Sequence, residues 1–494
     1  MRFLLLFAAL LTFAACGDTS TASSSTASVA GTGSTANSTI DPGALADRRL
    51  ESPDIRISIP GVPLPGALLI GQVGEQQYRA GEFTVNGNGI VFKQAEPLKT
   101  GHYYAYFSDG AAVQLLIDQD QTMRLSAPNA ATAVTTMTVK GNEDTRRLYE
   151  SLAFEAGQQE EFRAVGEAIR TTAPGTDAYN ELQSQRNALI DVREAFQDRL
   201  FAQAPDALFT SYKRAGRNPR LIDARNADGS LDEKAQVAAF RADFWDGVDF
   251  NDVRLLNTPV IFNKLKRYMT ELTPQNADAI KASADDLLGR VLDQPDYYKF
   301  FANWITLQYE PGKTTVMDGA AIHVHMIQNY FTRERAFWAD SMTVFGLQQR
   351  ADQMAHSLVG QKGPDITVPG LDGSPKRLYD LKKPYIAVFM YNPECEHCIE
   401  QTPKLIQAHQ GLKNELDVYA IALDTEADKW RNFVRQYGLS QFTNVYDPTN
   451  RSIFKTYYVD NTPELYLLGP DRTIVSKNLK VEQLAQAIKL AKSK

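Results

Sequence analysis

Two cysteines stand two residues apart in the stretch "FMYNPECEHCIEQTPKL", and Cys395 and Cys398 are two of only three in 494 residues. Such a pair can be a redox dithiol, half of a metal site, or two core residues that happen to be close. The flanking sequence separates these readings. An apolar run, "PYIAVFMY", precedes the pair, and the helical pattern "EHCIEQTPKLIQAHQGLK" follows it. Cys395 therefore stands at a strand-to-helix junction. A free thiol with pKa near ~8.5 is mostly protonated at neutral pH, and the thiolate is the nucleophile of disulfide exchange. Unpaired backbone N–H groups and the helix dipole at a helix start favour that anion. Cys398, one turn later on the same face, is placed to attack a mixed disulfide and release the product. His397 can stabilise a thiolate by charge or hydrogen bonding, whereas Glu396 and the nearby Glu394 repel negative charge.

The other chemistries lack partners in the sequence. A structural zinc or iron site needs about four ligands, usually two Cys or His pairs, and no second CxxC exists. No metal is expected, and the redox-active Cys395–Cys398 pair needs no other cofactor. Haem attachment needs His directly after the second cysteine, where this chain has Ile399. A peroxidatic cysteine would have Pro and Thr or Ser upstream, at positions held here by Val388 and Asn392. His323 and His325, in "AIHVHMIQNYF", would share a face on a strand but diverge on a helix. The surrounding pattern is helical, so they read as packing and surface residues.

The compartment follows from the N-terminus and from cysteine use. "MRFLLLFAALLTFAAC" has one basic residue, Arg2, a short apolar run from Phe3 to Ala15, and small residues before Cys16. This is the layout of an export signal. It resembles a bacterial lipoprotein signal, with Phe13 where Leu is usual, and the resemblance implies cleavage before a lipid-modified Cys16. Acyl chains add about 0.8 kcal/mol of membrane affinity per buried methylene. With Cys16 lipidated, the exported chain keeps two thiols, and they are adjacent. Oxidising compartments favour disulfides, so an isolated pair there points to redox chemistry. The chain has 43% hydrophobic and 22% charged residues with a net charge of −7, which gives no basic footprint for nucleic acid.

The length allows roughly two to four domains at about 150 residues each. Residues 1–15 are read as the signal peptide and 16–50 as the lipidated cysteine with a flexible Ser/Thr/Ala/Gly linker, too poor in apolar residues to fold. Residues 51–140 carry short alternating runs such as "DIRISI", "GIVFKQA" and "GHYYAYF" between turn signals. They predict an all-β, sandwich-like domain in which Tyr103, Tyr104, Tyr106 and Phe107 alternate across a strand. Residues 141–358, with apolar positions three and four apart in segments such as "EDTRRLYESLAFEAGQQEEFRAVGEAIR", predict an all-α domain. Residues 359–494 give the order β-α-β-α-β-β-α, with CxxC at the first strand-to-helix junction, a thioredoxin-like α/β layout.

Pro403 lies five residues after Cys398, and Pro463 in "VDNTPELYLL" precedes the final hairpin. With these prolines and the CxxC, residues 359–494 resemble the TlpA/ResA-like branch of membrane-tethered thioredoxins. The β and helical regions resemble those of Bacteroidetes thioredoxin-like lipoproteins. The resemblance makes Cys395 and Cys398 catalytic and Thr462–Pro463 a cis-proline loop that pairs with an extended substrate. Two departures concern the proton of Cys398. Phe389 replaces the buried acid of cytoplasmic thioredoxins, and Gln401 replaces the glutamate that ResA-like proteins carry, leaving Glu400 one position away. The implied activity is thiol-disulfide exchange, chiefly reduction of disulfides in exported proteins, fed by an unidentified membrane electron donor. The implied location is the periplasm-facing cell envelope, through a lipid anchor in the outer membrane. The alternative is a partner-binding or assembly lipoprotein in which the thioredoxin module is secondary.

Overall fold

The computed structural model describes residues 50–493, so the expected signal peptide and Cys16 lie outside the described residues. The chain divides into two compact units: one runs to Leu272 and takes in Asp293–Tyr297, and the other comprises Thr273–Leu292 and Tyr298–Lys494. The β, helical and thioredoxin-like α/β regions are all present, and the division between units falls inside the helical region.

The first unit opens with β1 (Asp54–Ser58), β2 (Leu68–Val73), β3 (Gln76–Glu82), β4 (Thr84–Asn86), β5 (Gly89–Lys93), β6 (Gly101–Tyr106), β7 (Ala112–Ile117), β8 (Thr122–Ser126) and β9 (Thr138–Lys140). They form two sheets, ordered β4-β5-β1-β8-β9 and β3-β2-β6-β7. Every pairing is antiparallel except that of β1 with β8. Alternate residues from both sheets, among them Ile55, Ile57, Phe92 and Leu125 with Leu69, Tyr103 and Leu115, fill one core. This inward alternation is what a sandwich requires.

The helices α1 (Glu143–Thr171), α2 (Asp177–Gln203), α3 (Leu208–Ala215), α4 (Glu233–Ala242) and α5 (Pro259–Arg267) follow. Asn142 caps α1 by accepting from the Thr145 N–H at 2.7 Å, and Thr176 caps α2 through Tyr179 N–H at 3.2 Å. Phe154 and Phe196 stack between these two helices at 4.0 Å. The expected alternation of the β6 aromatics is only half the picture. Tyr103 faces the sandwich core, while His102 on the other face meets Tyr212 of α3 at 5.5 Å, so β6 is covered on both sides.

The second unit begins with α6 (Ala277–Gly289) and continues through α7 (Pro295–Gln308, its first turn counted with the other unit), α8 (Gly319–Tyr330) and α9 (Ser341–Ala355). His323 and His325 lie on α8, and the His325 Nε2 is 2.6 Å from Asp285, which also accepts from the Tyr330 hydroxyl at 2.6 Å. Among the described residues no group of three or more His, Cys, Asp or Glu is arranged to hold a metal.

A small hairpin, β10 (Thr367–Pro369) with β11 (Pro375–Arg377), leads into the α/β region. Its strands and helices are β12 (Tyr385–Tyr391), α10 (Glu396–Leu412), β13 (Leu416–Leu423), α11 (Ala427–Tyr437), β14 (Thr443–Asp447), α12 (Arg451–Tyr457), β15 (Glu464–Leu468), β16 (Ile474–Ser476) and α13 (Leu484–Lys492). The sheet order is β14-β13-β12-β15-β16, with β12, β13 and β14 parallel and the last two antiparallel. All seven residues of β12 are buried, as the continuous apolar run predicts for a central strand. Its Ala387, Phe389 and Tyr391 pack with α10, α11 and α13, and Ile386, Val388 and Met390 pack with α12 on the other face. The observed order, β-α-β-α-β-α-β-β-α, adds two members to the expected one, β14 and α12, whose "RSIFKTY" precedes the proline loop.

Candidate active site

The CxxC pair is placed by the end of β12. Its last buried residue, Tyr391, is followed by Asn392, which turns the chain: its side-chain carbonyl accepts from Glu394 N–H at 2.8 Å, and its backbone carbonyl accepts from Cys395 N–H at 3.1 Å. The Asn392 amide donates to the Asp424 carbonyl at 2.9 Å, tying the turn to the end of β13. Asparagine favours such turns because its side chain mimics the backbone. That signal was present in "YNPE", and Asn392 is a site residue that motif reading passed over.

Cys395 is the N-cap of α10, with an extended backbone at φ −79° and ψ 121°, and its sulfur accepts from the Cys398 N–H at 3.4 Å. The sulfur therefore occupies the place of a capping oxygen, satisfying a backbone donor that a helix start leaves free. Burial pushes the Cys395 thiol up, but hydrogen bonds from Cys398, through its side chain and its N–H, outweigh it and hold the thiol below its ordinary value. Cys398 has no exposed surface. Burial, followed by the neighbouring Cys395 sulfur, pushes its thiol up to about 12. Both are free thiols. The pair thus contains one accessible, acidified sulfur and one shielded, protonated sulfur.

The second element of the site is the loop before β15. The Thr462–Pro463 peptide bond is cis, and the Thr462 carbonyl lies 3.3 Å from the Cys395 sulfur. Pro403 sits inside α10 and lacks the N–H that would bond the Ile399 carbonyl. Directly before it, the Thr402 hydroxyl donates to the Cys398 carbonyl at 2.8 Å.

The remaining sequence-named residues lie outside this contact. Glu396 and His397 are exposed on the first turn of α10. Glu394 pairs with Lys429 at 2.9 Å. Glu400 is exposed and bonded to Lys404 at 2.7 Å, which holds its carboxyl below the usual range. Gln401 accepts from Val481 N–H at 3.4 Å, and Phe389 is core. An acid absent from the sequence reading is Glu464, directly after Pro463. Burial raises its carboxyl to about 7 against the pull of Lys477. On β15 it alternates with Leu465, which shares the core of Cys398, and so belongs with Tyr466 on the opposite face of the sheet.

Residues 359–483 match the AhpC/TSA family. The C-terminal region is a thioredoxin-fold domain of the AhpC/TSA family. No curated protein matches the chain. Among solved structures, a thioredoxin-like protein from Bacteroides caccae is 19% identical, with TM-score 0.46, over 55% of this chain and 98% of its own. A domain described as a possible thiol-disulfide isomerase from Cytophaga hutchinsonii is 31% identical, with TM-score 0.26, over 28% of this chain and 97% of its own. The thioredoxin domain of a thiol-disulfide oxidoreductase from Bacteroides vulgatus is 22% identical, with TM-score 0.25, over 27% of this chain and 96% of its own. In the AhpC/TSA domain of this chain the dithiol stands at the end of the central strand.

Proposed function

We propose that this chain is a membrane-anchored thiol-disulfide oxidoreductase that reduces disulfides of exported proteins through Cys395 and Cys398. The observation that supports this most directly is the asymmetry of the pair: an N-cap sulfur with a lowered pKa beside a buried thiol held protonated. The Cys395 thiolate attacks one sulfur of the substrate disulfide, forming a mixed disulfide and expelling the other substrate sulfur as a thiolate. The Cys398 thiol then loses its proton and attacks the Cys395 sulfur. The second substrate thiol leaves, and the Cys395–Cys398 disulfide forms. Two electrons pass to the substrate, whose two thiolates take up two protons from the protein and solvent. The extended substrate segment pairs with the backbone at Thr462 and Pro463, beside the attacked sulfur.

The reductive direction follows the resemblance to the TlpA/ResA-like thioredoxins. A strong oxidant has a reduced form stabilised by a deeply depressed thiol pKa. At Cys395 burial opposes the anion, while hydrogen bonds from Cys398, Thr462 and the His397 backbone favour it, with a net lowering. Returning the disulfide to the dithiol requires two electrons, assigned to a dithiol-bearing membrane donor. Lipidation at Cys16 would hold the chain at the periplasm-facing side of the outer membrane. Among the described residues no helix is long and apolar enough to cross a membrane.

The decisive test is the reduction potential of the pair, measured by equilibration with glutathione or dithiothreitol buffers. A potential near that of a reducing thioredoxin, ~−270 mV, supports reduction, and one near ~−120 mV, typical of a strong oxidant, overturns it. Cys395→Ser in cells tests the alternative of a partner-binding lipoprotein, which predicts an unchanged phenotype.

A further inference from the structure

The helix α9 carries a side-chain stripe that the dithiol chemistry does not use. Met342 is 75% exposed and Phe345 is 55% exposed, although large apolar side chains on a surface helix ordinarily turn inward. The inward face is filled by other residues: Val344, Ala351 and Met354 are buried. Gln348 donates to the Ile327 and Phe331 carbonyls at 2.7 and 3.0 Å. At 100° per residue, Met342, Phe345, Gln349 and Gln353 fall within about 80° of one another. They form one outward row about 16 Å long, at 1.5 Å per residue.

The C-terminal end of this row opens into a pocket of about 330 Å³ lined by Gln349, Arg350, Gln353, Phe454, Tyr458 and Asp460. Its lining combines polar side chains with the rings of Phe454 and Tyr458. Arg350 shapes it by donating to the Tyr458 hydroxyl and to Asp460, the latter at 3.1 Å. Its guanidinium also lies over the Tyr458 ring at 5.6 Å. Asp460 is two residues from Thr462, whose carbonyl lies 3.3 Å from the Cys395 sulfur. Two trans-linked residues span at most about 7.6 Å between Cα atoms. The pocket therefore adjoins the loop against which the substrate disulfide is presented.

We infer that the α9 stripe and this pocket are a docking surface for the disulfide-bearing protein substrate. An extended segment next to the attacked cysteine lies over Tyr458 and Asp460 and then along Met342 and Phe345. This inference rests on the oxidoreductase reading. Its occupant is a polypeptide rather than a small disulfide, because the pocket adjoins the Thr462 loop through Asp460 and the α9 row alone is about 16 Å long. That length needs about five extended residues at ~3.3 Å each. The apolar contacts lie at the far end of that reach, where a flexible methionine can adapt to differing sequences.

The test compares two oxidants in single-turnover reactions of the reduced full chain, followed by loss of free thiols. Insulin presents disulfides within a polypeptide, whereas glutathione disulfide is too short to reach α9. In the double variant Met342→Glu, Phe345→Glu the rate with insulin should fall about tenfold, and the rate with glutathione disulfide should stay within about twofold. Both positions are exposed, and an unchanged urea midpoint checks that the fold is intact. A second variant, Gln349→Trp, fills the mouth of the pocket and should show the same selective loss. Equal rates for wild type and variants with insulin, or equal losses with both oxidants, overturn the docking surface and leave the dithiol reading standing. A wild-type protein that reacts with neither oxidant overturns both.

Discussion

In the unit that runs to Leu272, Arg254 is buried between two carboxylates, 2.8 Å from Asp118 and 2.7 Å from Asp252. The guanidinium also donates to the Asp206 carbonyl at 3.1 Å. In the unit that contains the dithiol, Cys398 is fully buried, and what acts on it is its partner sulfur, the Asn392 backbone and Thr462. The first arrangement pairs a buried cation with two carboxylates. The second keeps a buried group neutral and shielded beside an accessible sulfur. A paired buried ion fixes structure. A buried thiol without a countercharge holds a reaction in reserve.

The sharpest way to break this contrast is to remove one group from each side. Cys395→Ser should lower thiol-disulfide exchange by at least about 10³-fold and leave the unfolding free energy from urea denaturation close to wild type, because serine caps a helix as the sulfur does here. Arg254→Met should do the reverse. It leaves Asp118 and Asp252 buried without their cation, which costs about 3–5 kcal/mol. Urea denaturation reads that loss, while the exchange rate of the folded fraction stays unchanged.

Intermediate in size is the pH dependence of labelling. A lowered pKa puts more Cys395 in the thiolate form at any given pH below its ordinary value, so iodoacetamide should react with it at a midpoint below that of a free thiol. Cys398, raised to about 12, stays protonated and unlabelled across the same range. Mass spectrometry of the labelled cysteines would sink the contrast if both reacted alike. The smallest expected effect is that of Asp460→Asn. The Arg350–Asp460 pair has both side chains 54% exposed, and exposed pairs contribute roughly 0.2–1 kcal/mol, so thermal denaturation should shift only slightly.

How much of this was legible in the sequence depends on how local each signal is. The strand-to-helix junction at Cys395 was readable because an apolar run, a turn at "NPE" and a helical pattern follow one another directly. The sandwich was readable from alternation within single strands. What joins distant segments was not. The parallel pairing of β1 with β8 and the α3 cover on β6 have no signature in a short window. The same holds for the division of the helical region between the two units. Arg350 meets Tyr458 and Asp460 across more than a hundred residues, and nothing in "LQQRAD" marks it as a neighbour of the proline loop. Glu400 shows the converse: one position off the family's glutamate, helical spacing already turns it to a different direction, and it meets Lys404 in solvent.

The complete burial of β12 and Cys398 has a consequence in time. A central strand with all seven residues inside opens only when the domain as a whole opens, whereas edges and loops fray far more often. Cys398 directly follows that strand's turn and has no exposed surface. In a Cys395→Ser chain, a bulky thiol reagent would reach Cys398 only when the first turn of α10 lifts off that buried strand. Its labelling rate then becomes a clock for that opening, read at a residue the closed domain hides completely.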